Sequence, residues 1–199
     1  MAKAKKQAKP AAVVFATPPG ITKILALDLS LNSTGWATCD LRNDAAVWGA
    51  LVNPPEGKAG HREGLPRLHW IAEEITKLLG GTPLSKVYVV IENFSFGSAN
   101  KAAEIGMLHG VVRYMLFRAG VANVMIAPTQ MKKWVVGKGV AEKSLILKYI
   151  EKRYGYDCDQ EDAADALGLM TLARALLGHH PGTLVAFQKE VLAQIMNGK

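Results

Sequence analysis

The sequence predicts an α/β domain with a mixed five-stranded sheet flanked by helices. Three short apolar runs, 22–29, 34–39 and 45–52, follow one another with only turns between them, which is the pattern of an antiparallel meander. Two further β-branched runs, 86–91 and 121–127, each follow a segment with helical periodicity. Strands that alternate with helices after a meander favour a sheet that combines antiparallel and parallel strands.

The helical segments are recognised by apolar residues that recur every three to four positions. In the first of them Leu68, Ile71 and Ile75 keep this spacing. On the second, His109 is assigned to packing or to an interface, and Met107 to the core. The predicted helices cover residues 65–79, 101–118, 129–136, 142–154, about 161–170 and about 183–196.

Length and composition indicate one sizeable domain. The chain has 199 residues, of which 49% are hydrophobic, and a formal net charge of +7. That charge makes an anionic partner plausible, although part of it belongs to a predicted flexible basic arm, residues 1–20. The globular domain is predicted to cover 21–178, and a C-terminal helical extension follows at 179–199.

The cysteines and the hydropathy of the sequence indicate the cellular compartment of the protein. Cys39 and Cys158 form neither a disulfide pattern nor a zinc-binding spacing, which favours a reduced, intracellular setting. No apolar run approaches transmembrane length. We therefore expect a cytoplasmic, nucleoid-associated protein, or one in the host-cell cytoplasm if the source is viral, with no membrane partner.

Two aspartates three residues apart, Asp162 and Asp165, stand in a segment otherwise rich in alanine and leucine. On a helix this spacing puts both on one face, about 5–6 Å apart between Cβ atoms. Two acids held together on an apolar helix repel each other unless a cation joins them, and carboxylate oxygens suit Mg²⁺ or Mn²⁺. The alternative is that Asp162 favours the positive helix N-terminus while Asp165 is solvated.

Two more acids, Asp28 and Glu92, each end an apolar predicted strand. Strand ends are where sites gather in α/β sheets. If the two strands are neighbours and the helix with Asp162 and Asp165 lies across them, four carboxylates converge. Taken singly, either strand-end acid could equally be a loop-facing residue. The four together favour a metal site.

Four sequence blocks carry a family resemblance. They are 24–37 (Ile-Leu-Ala-Leu-Asp-Leu-Ser, then Thr-Gly-Trp-Ala), 91–93 (Ile-Glu-Asn), 135–144 and 162–167 (Asp-Ala-Ala-Asp-Ala-Leu). In this order they resemble the RuvC family of Holliday-junction resolvases, which has the RNase H-like fold. The resemblance covers most of a single domain and implies an RNase H-like nuclease domain over residues 21–178.

The resemblance implies a metal-dependent endonuclease that resolves four-way DNA junctions by paired symmetric nicks. In the family, four carboxylates bind two divalent ions, Mg²⁺ or Mn²⁺, and they correspond here to Asp28, Glu92, Asp162 and Asp165. Water would attack the phosphodiester in line and leave 5′-phosphate and 3′-hydroxyl ends. Lys143 matches a family lysine near the active site and is the fifth expected catalytic residue.

The residues expected to bind DNA lie around these acids. Lys132 matches a family lysine on the DNA-facing side and would contact phosphate, as would Lys143. Phe94 and Phe96 stand on either side of the position where the family has a stacking aromatic, so either could stack on an unpaired base. The full expected set is Lys132, Lys138, Lys143, Phe94, Phe96 and Lys101.

A four-way junction is two-fold symmetric, so a C2 homodimer would supply two matched sites. The 101–118 helix is the candidate interface, because Gly106 and Gly110 allow close approach beside apolar residues. These are Ile105, Val112 and Met115. Packing of this helix against the protein's own sheet is the alternative.

Three other functions remain open from the residues alone. The hairpin from Asp28 to Ala37 is similar to the phosphate-binding hairpin of an actin-like or sugar-kinase-like ATPase, although such proteins need two lobes. A catalytically silent junction-binding protein could share the fold. A nuclease of the same fold could act instead on flaps, forks or RNA.

Overall fold

The structure is a computed structural model that describes residues 18–52, 64–94 and 99–198. For residues 99–101 it describes the backbone alone. The strands are β1 (Lys23–Asp28), β2 (Thr34–Asp40), β3 (Ala45–Leu51), β4 (Val87–Glu92) and β5 (Ala122–Ile126). The helices are α1 (Gly64–Leu79), α2 (Ala99–Arg118), α3 (Pro128–Val136), α4 (Lys143–Tyr154), α5 (Glu161–Leu176) and α6 (Ala186–Met196).

Within the described residues the strands form one five-stranded sheet in the order β3-β2-β1-β4-β5. Neighbouring strands in the β1–β3 meander are antiparallel. β4 runs parallel to β1, and β5 runs parallel to β4. The predicted mixed sheet, with an antiparallel meander of three strands plus two further strands, is confirmed.

Each face of the sheet carries its own apolar layer. Because successive side chains of a strand point to opposite faces, Ile24 and Ala26 of β1 pack into the layer of α3, α4, α5 and α6. Leu25 and Leu27 pack into the layer of α1 and α2 on the other face. The sheet is therefore sandwiched between helices, and its central strand β1 is buried on both sides.

The face that carries α3 to α6 is organised around α5, which is buried from Ala163 to Arg174. Small residues let it approach its neighbours closely. A Cβ at Gly168 would stand 2.9 Å from both Met131 Sδ and Val135 Cγ2 of α3. This close contact makes α5 the central helix on which the other helices of that face are placed.

The α2 helix differs in part from the sequence prediction. Val112 is fully buried in the protein's own core, and Met115 packs partly against the same layer. Met107, predicted to be a core residue, is instead 49% exposed, and that prediction was wrong. His109 is buried, as expected of a packing residue.

The C-terminal segment is packed on the domain. Helix α6 begins at Ala186, three residues later than predicted, because Val185 is extended. Its Val191 and Ile195 are buried in the same layer as α3, and Glu190 forms an ion pair of 2.6 Å with Lys133.

The structure also describes the two cysteines and the length and apolarity of the helices. Cys39 is buried and Cys158 is half-buried, and both thiols are free. Across 18–52, 64–94 and 99–198, no helix combines the length and apolarity needed to cross a membrane.

Candidate active site

Asp28 and Glu92 end β1 and β4 and lie side by side, because these strands are parallel neighbours in which Leu27 pairs with Ile91. Their side chains are hydrogen-bonded to each other. Two carboxyl groups can share a hydrogen bond only if one of them carries a proton. The ends of β1 and β4 therefore bring two carboxyl groups together.

Burial and repulsion raise the pKa of both groups. For Asp28 burial is the larger cause, and the charge of Asp162 adds to it. The pKa of Glu92 rises to about 9, through burial first and then through the charges of Asp28 and Asp165. A site that retains protons at neutral pH is one in which a divalent cation would replace them.

Asp162 and Asp165 come from the first two turns of α5. The helix begins unusually close to β2, since a Cβ at Gly35 would stand 1.9 Å from the backbone oxygen of Asp162. Only glycine permits such an approach. This contact sets the start of α5 against the sheet, next to Asp28, the partner of Gly35 in the β1–β2 pairing.

The two aspartates of α5 have different surroundings. Asp165 is 6% exposed, its Oδ1 has no hydrogen-bond partner among the described residues, and burial, with the charge of Asp28, raises its pKa to about 7. Burial would also raise the pKa of Asp162, but hydrogen bonds from Ser33 and Lys143 more than offset it, and the net shift is downward. The surroundings of Asp162 thus favour its ionised form, while those of Asp165 disfavour ionisation.

The four predicted acids act on one another electrostatically. Asp28 is affected by the charge of Asp162, and Glu92 by that of Asp165, so the strand ends and the helix form one acidic cluster. In the described parts of the chain, the present rotamers bring no three Asp, Glu, His or Cys side chains close enough to hold one metal ion. The fold places the carboxylates near one another, and their side chains would have to rotate to converge on a cation.

Two oxygens in this cluster support a fit to a hard cation. Glu92 Oε1 and Asp165 Oδ1 are both buried without a hydrogen-bond partner among the described residues. Leaving a buried polar atom unpaired costs roughly 1–3 kcal/mol, and more if it is charged. Carboxylate oxygens of this kind are the ligands that Mg²⁺ and Mn²⁺ prefer.

Lys143 is the first residue of α4 and lies directly against the acids. Its Nζ donates to Asp162 Oδ1 at 2.9 Å and is 3.7 Å from Glu161 Oε2. The hydrogen bond to Asp162 is the largest cause of the raised pKa of Lys143, which keeps the ammonium charged. The predicted catalytic lysine is therefore beside the acidic cluster.

The other predicted DNA-binding residues are placed less uniformly. Lys132 of α3 is half-buried, and its charge acts on three of the four acids. Lys138 is exposed in the link between α3 and α4. Phe96 and the side chain of Lys101 lie outside the described residues, so both remain predictions.

Comparison with known proteins places this chain in a family. None of the protein-family models searched matches the chain. The crossover junction endodeoxyribonuclease RuvC of Azorhizobium caulinodans is 32% identical over 166 residues, which cover 82% of this chain and 93% of that protein. The chain belongs to the RuvC family. The RuvC of Parvibaculum lavamentivorans is 37% identical over 156 residues, covering 73% of this chain and 82% of that protein.

Solved RuvC structures share the fold. The Thermus thermophilus RuvC structure has a TM-score of 0.58 at 20% identity, over 79% of this chain and 97% of that one. T. thermophilus RuvC in complex with a Holliday junction substrate has a TM-score of 0.55 at 19% identity, with the same coverage. The predicted RNase H-like fold is confirmed. Membership of the RuvC family also decides against the actin-like or sugar-kinase-like ATPase.

The rings of Phe94 and His109 pack together beside a cavity that reaches Asp28 and Glu92. Their ring centroids are 4.9 Å apart with planes inclined by 51°. Both line a cavity of about 140 Å³ whose described lining is Asp28, Leu29, Glu92, Asn93, Phe94, Ile105, His109 and Pro128. A larger cavity of about 410 Å³ lies between α4 and α6, and none of the four acids is in its described lining.

Sequence reasoning missed two residues that position the site. Ser33, in the β1–β2 turn, is hydrogen-bonded to Asp162. Arg67 of α1 is buried and donates to the backbone oxygens of Leu31 (2.8 Å), Asn32 (3.3 Å) and Val52 (3.0 Å). It thereby ties that turn to the end of β3. Nothing local in the sequence marks an arginine whose partners are 15 to 36 residues away.

Proposed function

We propose that this chain is a metal-dependent endonuclease that resolves four-way (Holliday) DNA junctions by paired symmetric nicks. The observation that carries the proposal is the acidic cluster: Asp28, Glu92, Asp162 and Asp165 act on one another electrostatically from two strands and a helix, and two of their buried oxygens have no partner among the described residues. The name shared by the relatives, crossover junction endodeoxyribonuclease, supports the choice of substrate.

The four carboxylates are proposed to hold two divalent ions, Mg²⁺ or Mn²⁺. Ions bound there would lower the pKa of an attacking water and stabilise the departing 3′ oxygen, which leaves 5′-phosphate and 3′-hydroxyl ends. The raised pKa of Glu92 and Asp165 means that both carboxyls must release protons before they can serve as ligands. Asp162, already held ionised by Ser33 and Lys143, would serve without that step.

The lysines around the cluster would hold the DNA backbone. Lys143 and Lys132 put positive charge beside acids that would otherwise repel phosphate, and Lys143 would meet charge that builds on the scissile phosphate. Exposed Lys138 would add a backbone contact from the α3–α4 link. Lys101 and Phe96 complete the proposed DNA-binding set with Phe94.

The substrate is tested by incubating wild-type protein and Mg²⁺ with a labelled four-way junction, a duplex, a fork and a flap. We expect paired, symmetric nicks on the junction and little cutting of the other three DNAs. Equal cutting of every branched DNA would establish a general structure-selective nuclease instead. Tight junction binding with no cutting of any DNA would establish the silent binding protein.

The nuclease is further proposed to act as a homodimer through α2. With Val112 committed to the core, the exposed side of the helix carries Met107, Tyr114 and Phe117, of which Phe117 is 76% exposed. Nothing lies within 4 Å of where a Cβ of Gly110 would stand, so a partner helix could approach there. Exposed aromatic side chains grouped on one helix face favour a protein–protein contact.

The dimer predicts a specific change of product. Light scattering at micromolar concentration should give a dimer for wild type and a monomer for Tyr114→Asp/Phe117→Asp, since two buried charges per subunit disfavour the contact. The monomer should nick the junction once instead of in pairs. Met196→Asp, an exposed apolar residue changed on the opposite face of the sheet, is the matched control and should stay dimeric. A monomeric wild type that still makes paired nicks would contradict the proposal.

The division of the chain is proposed to follow these roles. Residues 21–178 would form the RNase H-like nuclease domain and 179–199 a helical extension. Most of the predicted basic arm, residues 1–20, lies outside the described residues. The buried Val191 and Ile195 support an extension that is docked on the domain through α3.

A further inference from the structure

The turn between β1 and β2, residues 29–33, contacts the acidic cluster at Asp162. Ser33 in this turn is hydrogen-bonded to the Asp162 side chain. Just beyond the turn, Gly35 lies so close to α5 that a Cβ there would stand 1.9 Å from the backbone oxygen of Asp162. Both the side chain and the backbone of one proposed metal ligand therefore lie against this part of the chain.

Ser33 is better suited than Lys143 to fix the orientation of Asp162. Lys143 also donates to Asp162 Oδ1, at 2.9 Å, but its ammonium ends a flexible four-carbon chain and its side chain is half exposed. A serine hydroxyl is attached directly to Cβ, so its position follows that of the backbone. The orientation of Asp162 then depends on how firmly the turn is held.

The turn is closed by Thr34 and anchored by Arg67 of α1. The fully buried hydroxyl of Thr34 donates to Ser30 O at 2.7 Å and accepts from Ser30 N at 3.2 Å. Arg67 donates to the backbone oxygens of the two residues before Ser33, at 2.8 and 3.3 Å. Its third hydrogen bond, 3.0 Å to Val52 O, joins the turn to the end of β3. The backbone that carries Ser33 is thus held from two sides.

Arg67 is an unusual anchor, because its charge is buried without an acid beside it. The residue is 3% exposed, and its hydrogen bonds within the described residues all go to backbone oxygens. Its guanidinium stacks on the ring of Trp70 at 4.6 Å. Burying a charge is costly unless it is compensated. The planar fork of arginine holds several oxygens in fixed directions, which the single ammonium of lysine does not.

We propose that Arg67 and Ser33 act in series to orient Asp162, and that this orientation sets the affinity of the acidic cluster for a divalent ion. Arg67 holds the turn, and the turn holds the serine that holds the carboxylate. The inference rests on the proposed metal-dependent nuclease. Both are positioning residues, because neither is proposed to touch the metal or the scissile phosphate. Groups that orient metal ligands change metal affinity by about 10- to 100-fold when they are removed.

The test measures Mn²⁺ binding to the full chain without DNA, from the EPR signal of the free ion. Ser33→Ala should bind Mn²⁺ about tenfold more weakly than wild type, while Ser33→Thr, which keeps the hydroxyl, should bind like wild type. Arg67→Lys keeps the charge but loses the fork, so it should weaken binding by a similar factor. Because the two residues act in series, the double variant should be about as weak as either single variant. Independent effects would multiply to about a hundredfold.

Lys23→Met is the matched control for the loss of a tether. Lys23 Nζ donates to the backbone oxygens of Leu78 (2.7 Å) and Gly80 (2.9 Å) and so joins β1 to the other end of α1. This change should lower the unfolding temperature and leave the Mn²⁺ affinity unchanged. Wild-type affinity in Ser33→Ala, or effects of the two single variants that multiply, would overturn the inference. The two Ser33 variants decide the question even if Arg67→Lys does not fold.

Cleavage of a labelled junction separates this inference from the nuclease. Ser33→Ala should cut slowly at low Mg²⁺, and raising the Mg²⁺ concentration should restore most of the rate, because metal affinity is what the change impairs. Hydroxyl-dependent Mn²⁺ binding with no cutting of any DNA would support the orienting role and refute only the proposed nuclease. A slow Ser33→Ala at every Mg²⁺ concentration, with unchanged Mn²⁺ affinity, would overturn the orienting role alone. A wild type that binds no Mn²⁺ would overturn both.

Discussion

Changing Asp162 to asparagine is expected to reduce junction cleavage by roughly a thousandfold, because it removes a ligand charge worth several kcal/mol in a metal-assisted transition state. Junction binding should be kept or slightly tightened, since the change removes a negative charge from a surface that faces phosphate. The structure makes Asp162 the informative choice. It is the acid of the cluster that Lys143, at 2.9 Å, and Ser33 already hold as a carboxylate.

The matched control is Asp159→Asn, the same change at an exposed position three residues earlier in the chain. Initial rates on a labelled junction and binding by gel shift should be measured for both variants. Asp159→Asn should cut like wild type. If Asp162→Asn cut at the wild-type rate, the acidic cluster would not be the catalytic centre. A loss of binding in parallel with cutting would instead indicate damage to the DNA-binding surface.

The sheet and the four acids could be predicted from the sequence because their signals are local. Each strand is an apolar run bounded by turn residues, and each acid ends a strand or lies in the first two turns of a helix. Asp28 and Glu92 needed only one further step, the pairing of β1 with β4, to become neighbours. Acids at the ends of strands and helices can be recognised because the strands and helices themselves can be predicted.

The orientation of α2 could not be predicted, because that helix has apolar side chains on more than one side. Val112 faces the core while Phe117 faces out, and periodicity alone does not choose between them. Helix α5 poses the same difficulty, since it is buried all round from Ala163 to Arg174. In both helices the choice is made by tertiary packing.

Ser33 and Arg67 were missed for a different reason. Their roles depend on partners that are distant in the sequence: Ser33 meets Asp162, and Arg67 reaches Val52 across a segment of 15 residues. A lone serine or arginine has no pattern to mark it, so these assignments needed the fold.

In the absence of divalent ions, Asp165→Asn is expected to stabilise the protein at pH 8, by roughly 1–3 kcal/mol. The folded-state pKa of Asp165 is about 7 against an ordinary 3.8, and that of Glu92 is about 9 against 4.5. For acids with a raised pKa, the stabilising contribution is complete below the ordinary pKa. It is lost as pH rises toward the folded-state value. Wild type without metal should therefore lose stability between about pH 4 and pH 9.

Asp162→Asn provides a matched contrast on the same helix, because its sign should be opposite. The net pKa shift of Asp162 is downward, so its ionised form is favoured by folding and the amide should be neutral or destabilising. Thermal unfolding of both variants at pH 5 and pH 8, with and without Mg²⁺, measures the difference. Mg²⁺ should raise the unfolding temperature of wild type more at pH 8 and should have little effect on Asp165→Asn. Equal destabilisation by both asparagines would contradict the acidic cluster, because a buried acid that is repelled by its neighbours should leave the protein more stable when its charge is removed.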